Sequence, residues 1–342
     1  MRAALAFELP ERLEAHEPPE ARGLARDEVR MLVASRATGE LADAAFRDLP
    51  EVLAPGDVVV VNTSATLPAS LPAERPDGSA IRLNLSTPVP GTTNHWVVEL
   101  RCGDAPCRST EPETLALPDG ARARLLAPYL AGRRLWVARL ELLEPLSAYL
   151  AEHGAPIRYR YVPSRLPLER YQTVFAREPG SAEMPSAARP FTHEIVTALV
   201  ARGIAIAPLV LHTGVSSLEE GEAPYPERYC VPEATARMVT SARRSRGRVI
   251  AVGTTAVRAL ETVARPDGRV VAGEGWTDLV ISPERPPRVV DGLLTGWHEP
   301  GASHLHLLDA VAGRALVARS YDAALARGYL WHEFGDVHLI TP

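Results

Sequence analysis

Gly247–Glu261 reads GRVIAVGTTAVRALE, and the change of character in its middle decides the fold. Val249, Ile250, Ala251 and Val252 form a short, apolar, β-branched run, the pattern of a buried strand. Gly253 permits a tight turn or a close backbone approach. Thr254 and Thr255 are placed to cap a helix, and Val257, Leu260 and Val263 then recur at helical spacing. A helix start leaves N–H groups unpaired and carries partial positive charge. At the carboxyl end of a strand this suits an anion or carboxylate. An ordinary strand–turn–helix of an α/β sheet has the same pattern, so function has to come from the rest of the chain.

Working outward, Ile204–Gly214 (IAIAPLVLHTG) reads as a second buried strand, preceded by an amphipathic helix, HEIVTALVARG, stopped by Gly203. PEATARMVTSARRSRG is a helix with a polar face. WTDLVIS is read as a strand, HLHLLDAVAG and SYDAALARGY as helices, and DVHLI as a last strand. Near the start, EVRMLVAS is a strand, LADAAFRDL a second extended or mixed piece, DLPEVL a short helix with Asp48 as cap, and GDVVVVN a buried strand. Between these regions the pattern changes. IRLNLS, HWVVELR, ARARLLA and RRLWVARLEL alternate as short strands, with PDG turns at 76–78 and 118–120. Such spacing suits a small antiparallel barrel or sandwich. The expected architecture is a discontinuous three-layer α/β domain, residues 1–66 and 146–342, interrupted by a β-barrel domain at 67–145.

The 342 residues, 46% hydrophobic and 23% charged, support a sizeable core. No apolar run approaches the roughly 20 residues of a membrane helix, and the N-terminus reaches acids and prolines too soon for a signal peptide. A cytoplasmic protein is expected, with no membrane partner and a monomer as the default. Cys102, Cys107 and Cys230 lack zinc spacing, and all three read as incidental. No metal is expected. Lysine is absent, so all 37 basic residues are arginine, which looks like the codon bias of a GC-rich genome. A net charge of −5 disfavours a general polyanion binder but leaves room for a local patch. Arg165 and Arg170 in SRLPLER, and Arg243 and Arg246 in ARRSRGR, are the candidates.

Several chemistry-bearing stretches fall in turns after strands, where α/β sites form. LHTG places His212 at a strand end, beside Gly214. LLTGWHEPGASHLHLL carries Thr295, His298 and Ser303 ahead of a helix. RYQTVFA combines Arg170, Tyr171 and Gln172. ARPFTHE puts Phe191 and Thr192 at a helix start, with Thr192 as its cap.

In this order, with RDEVRMLV, TGE, PGDVVVVN and FGDVHLI, these stretches resemble the S-adenosylmethionine:tRNA ribosyltransferase-isomerase family of queuosine synthesis over nearly the whole chain. The resemblance implies an α/β fold with an inserted barrel. It also implies transfer of the ribosyl part of S-adenosylmethionine to an aminomethyl-deazaguanine in tRNA, with loss of adenine and methionine and rearrangement to an epoxycyclopentane. S-adenosylmethionine is then a consumed co-substrate, and no cofactor is needed. The sulfonium acidifies the adjacent C5′ hydrogens, a base starts the reaction and an acid helps adenine leave. His298 and His212 are the acid–base candidates, with Asp27, Glu261 and Asp336 as carboxylate alternatives. Tyr171 and Phe191 are candidates for stacking on adenine or facing the sulfonium. Gln172, Thr192, Gly214 and Thr295 complete the expected substrate contacts. Gly253, Thr254 and Thr255 offer backbone N–H groups to a carboxylate or phosphate, with Arg258 one turn on.

The departures fall inside motifs. Where the family has roughly NDTRVIPARL, this chain has NTSATLPASL, with Thr63, Ala65 and Ser70 in place of an acid and two arginines. PTAGLHFT is PSAARPFT, with Ala188 for a glycine and Pro190 for a histidine. LLTNFHLPKSTLLML is LLTGWHEPGASHLHL, with Gly296 for an asparagine and Gly301 for a lysine. A histidine-rich stretch is replaced by EEGEAPYPERYCVPE. A paralogue using S-adenosylmethionine on a small-molecule acceptor, and an inactive binding protein of the same fold, are therefore the alternative readings.

Overall fold

In the computed structural model, residues 5–103, 105–107, 109–129, 134–215 and 225–342 are described. Residues 219–224 of the stretch replacing the histidine-rich segment lie outside them. A nine-stranded sheet runs in the order Gly273–Thr277, Glu227–Val231, Ala205–Leu211, Val58–Asn62, Val249–Val252, Gly292–Gly296, Val337–Thr341, Arg30–Ser35 and Leu41–Ala45. The four strands from Ala205–Leu211 to Gly292–Gly296 are mutually parallel, so their carboxyl ends share one edge. This is where open α/β sheets place ligands.

Strand Val58–Asn62 shows why the sheet is buried on both sides. Val58 and Val60 enter the core shared with Val257, Leu260 and Leu308. Val59 and Val61 enter the core shared with Phe46, Ile195 and Leu199. Period-two alternation thus feeds two apolar layers, each covered by helices. The expected three-layer α/β fold is present.

The second sheet closes on itself. Strands Ser70–Glu74, Ala80–Pro88, His95–Cys102, Leu135–Glu141, Arg122–Pro128 and Thr114–Ala116 form a six-stranded antiparallel barrel, sealed by pairing of Leu135–Glu141 with His95–Cys102. Helix Leu146–His153 packs Tyr149 and Leu150 into the barrel core. Ala155 then bridges to Ser70 through reciprocal 2.9 Å backbone hydrogen bonds, so the chain leaves the barrel where it entered.

Some local expectations need correction. Cys102 and Cys107 are not incidental but form a disulfide: the hairpin pairing of Cys102 with Ala105 brings their Cα atoms to 5.3 Å. Cys230 is free. Helix Thr254–Thr262 is capped by Gly253, with φ 84°, and not by a threonine side chain. The Asp48 carboxylate accepts from the amide of Ala45, closing the preceding turn, and does not cap helix Leu49–Val52. WTDLVIS is strand only to Thr277; Leu279 and Ile281 beyond it are buried without strand pairing.

Candidate active site

At the shared carboxyl edge, Asn62 joins two of the expected turns. Its Nδ2 donates to the Leu211 carbonyl at 2.8 Å and to Thr255 Oγ1 at 3.3 Å. Its Oδ1 accepts from the amides of Leu211, at 3.0 Å, and Ser64, at 3.1 Å. A buried amide making four bonds fixes the LHTG turn against the Gly-Thr-Thr turn. The family-like strand ending in asparagine thus has a physical role.

His212 lies in this half. Its Nδ1 is 2.7 Å from Ser64 Oγ, which is itself 2.7 Å from Ser181 Oγ. The ring lies on Gly180, where a Cβ would sit 2.4 Å from Nδ1. Burial, with the charge of Arg228 nearby, pushes the imidazole down to about 4. It is neutral at pH 7 and able to accept a proton. The Gly214 amide donates to Glu227 at 2.9 Å, and Glu227 is ion-paired with Arg258. Arg258 also donates to the carbonyls of Leu279 and Thr277. It therefore braces the sheet's outer strands rather than reaching for an anion at the turn.

Thr295 and His298 form the second half. Thr295 is buried at the end of its strand, with Oγ1 3.0 Å from His298 Nε2. The His298 ring stacks on His304 at 4.5 Å, with planes 3° apart. Trp331 Nε1 donates to the His298 carbonyl, and Tyr321 Oη accepts from its amide. Burial, reinforced by His304, His332 and His338, holds His298 well below its ordinary value. The two halves meet where the Gly253 amide donates to the Leu294 carbonyl at 2.8 Å.

Tyr171 belongs to a third cluster. Its ring lies 5.6 Å from Phe334 and 6.0 Å from Tyr159; Tyr159 stacks on Tyr161, and Tyr161 on His332 at 4.0 Å. A hollow beside Phe334 is lined by Ser186, Pro190, Gly296, His332 and Glu333. A cleft at the barrel seam has Tyr171 in its wall together with arginines. Neither hollow is lined by Thr254 or His298. Thr254, His298 and Tyr171 thus fall in adjoining clusters, and neither hollow joins them.

Several expected substrate contacts have structural partners. Phe191 is fully buried between Phe46 and Phe175. Gln172 clamps Thr66, accepting from its amide at 3.0 Å and donating to its carbonyl at 2.8 Å. Thr192 caps helix His193–Ala201 through the Ile195 amide, as expected. The Glu261 carboxylate accepts from the amides of Arg288, Val289 and Val290. Asp336 accepts from those of Arg30 and Leu330. These are backbone braces.

Glu333 went unnoticed in the sequence. It lines the hollow beside Pro190, its Oε2 is buried without a partner, and burial pushes its carboxyl up to about 7. A single acid in a loop carries no periodic signal that would have marked it. As to metals, among the described residues one group, Asp119, Glu152 and His153, brings ligand atoms within 4.8 Å. Both its carboxylates are exposed, and it lies by the barrel, with Tyr149 stacked on His153.

The arrangement of strands and turns has known counterparts. The sequence profile described as "Queuosine biosynthesis protein" matches residues 2–340. The chain belongs to the queuosine biosynthesis protein family. Members named S-adenosylmethionine:tRNA ribosyltransferase-isomerase are similar end to end. The one from Desulfitobacterium hafniense is 35% identical, with 98% of each chain covered. That of Thermus thermophilus is 37% identical at the same coverage. The crystal structure of S-adenosylmethionine tRNA ribosyltransferase from Thermotoga maritima superposes with a TM-score of 0.56 at 29% identity, covering 98% of this chain and 99% of that one. Family membership thus agrees with the barrel inserted into an α/β sheet.

Proposed function

We propose that this chain is an S-adenosylmethionine:tRNA ribosyltransferase-isomerase, moving the ribosyl group of S-adenosylmethionine onto 7-aminomethyl-7-deazaguanine in tRNA and isomerising it to the epoxycyclopentane of epoxyqueuosine. The end-to-end similarity to relatives bearing that name, 35–37% identical over 98% of the chain, carries this reading. S-adenosylmethionine is consumed as a co-substrate, and the setting is the cytoplasm. No helix among the described residues is long and apolar enough to cross a membrane.

The residues at the sheet edge suit the chemistry. A C5′ proton beside the sulfonium has to be removed, and adenine has to be protonated as it leaves. His212 and His298 are both held neutral, so each ring has one nitrogen free of a proton at rest, and burial makes each a weaker base than an ordinary imidazole. Glu333, held protonated to near neutrality, is a proton donor beside the Pro190 hollow. The first turn of helix Thr254–Thr262 offers amides that helix geometry leaves without intrahelical partners. They suit the methionine carboxylate.

Incubation of the protein with S-adenosylmethionine, with and without tRNA carrying the aminomethyl-deazaguanine, tests the assignment. The expected result is release of adenine and methionine only with that tRNA, with the matching mass gain on the nucleoside. Release with a small-molecule amine and not with tRNA would move the chain to a different acceptor. Binding of S-adenosylmethionine without release would make it a binding protein.

A further inference from the structure

Four arginines converge on the cleft where the barrel joins the α/β sheet. Arg82 and Arg101 are directly opposed on neighbouring antiparallel barrel strands. Like charges in that register are destabilising unless something compensates them. Arg158 and Arg165, from the segment after the barrel, line the same cleft, which has a volume of about 170 Å³. Among the described residues no acidic side chain lines it. Glu99 lies 3.5 Å from Arg101 and is shared with Arg134 at 2.8 Å. On a chain of net charge −5, such a concentration of one sign is not background.

The guanidinium groups are partly pre-positioned. Arg82 donates through Nε to Ser70 Oγ at 3.0 Å and through Nη2 to the Ser70 carbonyl. Arg158 donates through Nη1 to the Val162 carbonyl at 2.8 Å. Arg165 is exposed at the rim. Burial, with a smaller contribution from the facing charge of Arg165, holds Arg82 below its ordinary value. Ser70 stands where the resembling motif has an arginine, and Arg82 reaches it from the neighbouring strand.

We infer that this arginine cleft seats the phosphodiester backbone of the RNA acceptor, with Arg165 as the accessible contact and Arg82 as the anchored one. This rests on the tRNA reading above and adds the location of the contact. Arginine forks match phosphate oxygens in pairs. Positive charges spread along one cleft match the repeating charge of a phosphodiester chain better than a single small anion. Tyr171 in the cleft wall touches Phe334, which lines the hollow beside Pro190 and Gly296. The cleft and the hollow are thus linked through one aromatic contact.

The test is a salt series on the full-length protein. Affinity for an unmodified tRNA transcript is measured from about 50 to 200 mM salt, for wild type, Arg165→Ala, Arg165→Glu and the control Arg237→Ala on the exposed face of helix Glu233–Arg244. The cleft reading expects Arg165→Ala to weaken binding several-fold and to flatten the log–log salt slope by about 0.7–1. Arg165→Glu weakens it further, and Arg237→Ala matches wild type. S-adenosylmethionine affinity and the unfolding midpoint are expected to stay at the wild-type value in all three variants, since Arg165 and Arg237 are exposed. Unchanged tRNA affinity and slope in both Arg165 variants overturn the inference, even if wild type modifies tRNA. Absence of tRNA binding by wild type overturns it as well. Loss of RNA binding in the Arg165 variants, with a wild type that releases no adenine on modified tRNA, keeps the cleft and removes the proposed reaction.

Discussion

Around Asn62, the amide, Ser64, Ser181, His212 and Thr255 are joined in one hydrogen-bonded network. Around Gly296, buried polar atoms are left over: Trp297 Nε1, Glu333 Oε2 and both ring nitrogens of His338 have no partner. The two regions sit side by side on the same edge of one sheet. The first has the asparagine-ended strand and the Gly-Thr-Thr turn of the resembling family. The second contains Pro190 and Gly296, where that family has a histidine and an asparagine. A buried polar atom left without a partner costs about 1–3 kcal/mol, so within the protein the first region is the better satisfied of the two. Of these groups Glu333 lines the hollow beside Pro190, whereas Trp297 and His338 stack on each other in the core. The contrast is between an Asn62 half whose polar groups are joined to one another and a Gly296 half with buried polar atoms to spare.

The largest expected effect is on rate, and it tests each half separately. His298→Gln and His212→Gln each remove one of the two histidines proposed to move a proton, while retaining hydrogen-bonding capacity. General acid–base groups contribute about 10²–10⁴-fold, so adenine release at saturating substrates is expected to fall by about 10²-fold or more in each, with a small change in the unfolding midpoint. A variant with unchanged kcat removes that histidine, and its half of the edge, from the chemistry.

Next in size, Asn62→Ala strikes the hydrogen-bonded half directly. It leaves the Leu211 amide and carbonyl and the Ser64 amide short of partners in a buried site. A loss of about 2–4 kcal/mol is expected from urea unfolding. A loss under roughly 0.5 kcal/mol, the range of an ordinary surface change, would show that water or neighbouring groups replace the amide. The contrast between the halves would then fail.

The sequence made some of this legible. Val249–Val252 followed by glycine and a 3.6-residue period reads as strand, turn and helix because those periods are set by the backbone itself. The barrel announced itself through PDG turns between short alternating runs, and Gly203, with φ 79°, stops its helix as expected. Partner choice was not legible. Periodicity says which face a side chain takes, not what stands opposite. Thr255 looked like a cap and is bound to Asn62. Gln172 looked like a substrate contact and clamps Thr66. Cys102 with Cys107, and Arg82 opposite Arg101, become pairs only once strand register is known. Motif order located the site's elements, but it could not tell a residue that touches substrate from one that holds up a neighbour.

Glu333→Gln sharpens the contrast through pH. The folded carboxyl lies near 7, above its ordinary 4.5, so the folded state binds this proton more tightly than the unfolded chain. The stability it contributes is complete below about 4.5 and is lost as pH rises through about 7. Glutamine does not titrate. The variant is therefore expected to gain on wild type in denaturation midpoint between pH 4.5 and 7. Parallel curves for the two proteins across that window would place Glu333 in a hydrated setting and remove it as a proton donor.

The smallest effect comes from His338, a fully buried imidazole in strand Val337–Thr341, stacked on Trp297 at 4.7 Å. Burial pushes it down to about 3, so its contribution is present above its ordinary 6.5 and fades as pH falls toward 3. His338→Met replaces an unpartnered polar ring with an apolar side chain of adaptable shape. The loss of two orphaned nitrogens outweighs the loss of the stack, and a gain of about 1 kcal/mol near pH 7 is expected, widening in acid because methionine has no proton to bind. Calorimetric scans at pH 7 and pH 5 check both parts. A destabilised variant would mean that the ring nitrogens find partners, and the Gly296 half would lose one of the unsatisfied groups that set it apart from the Asn62 half.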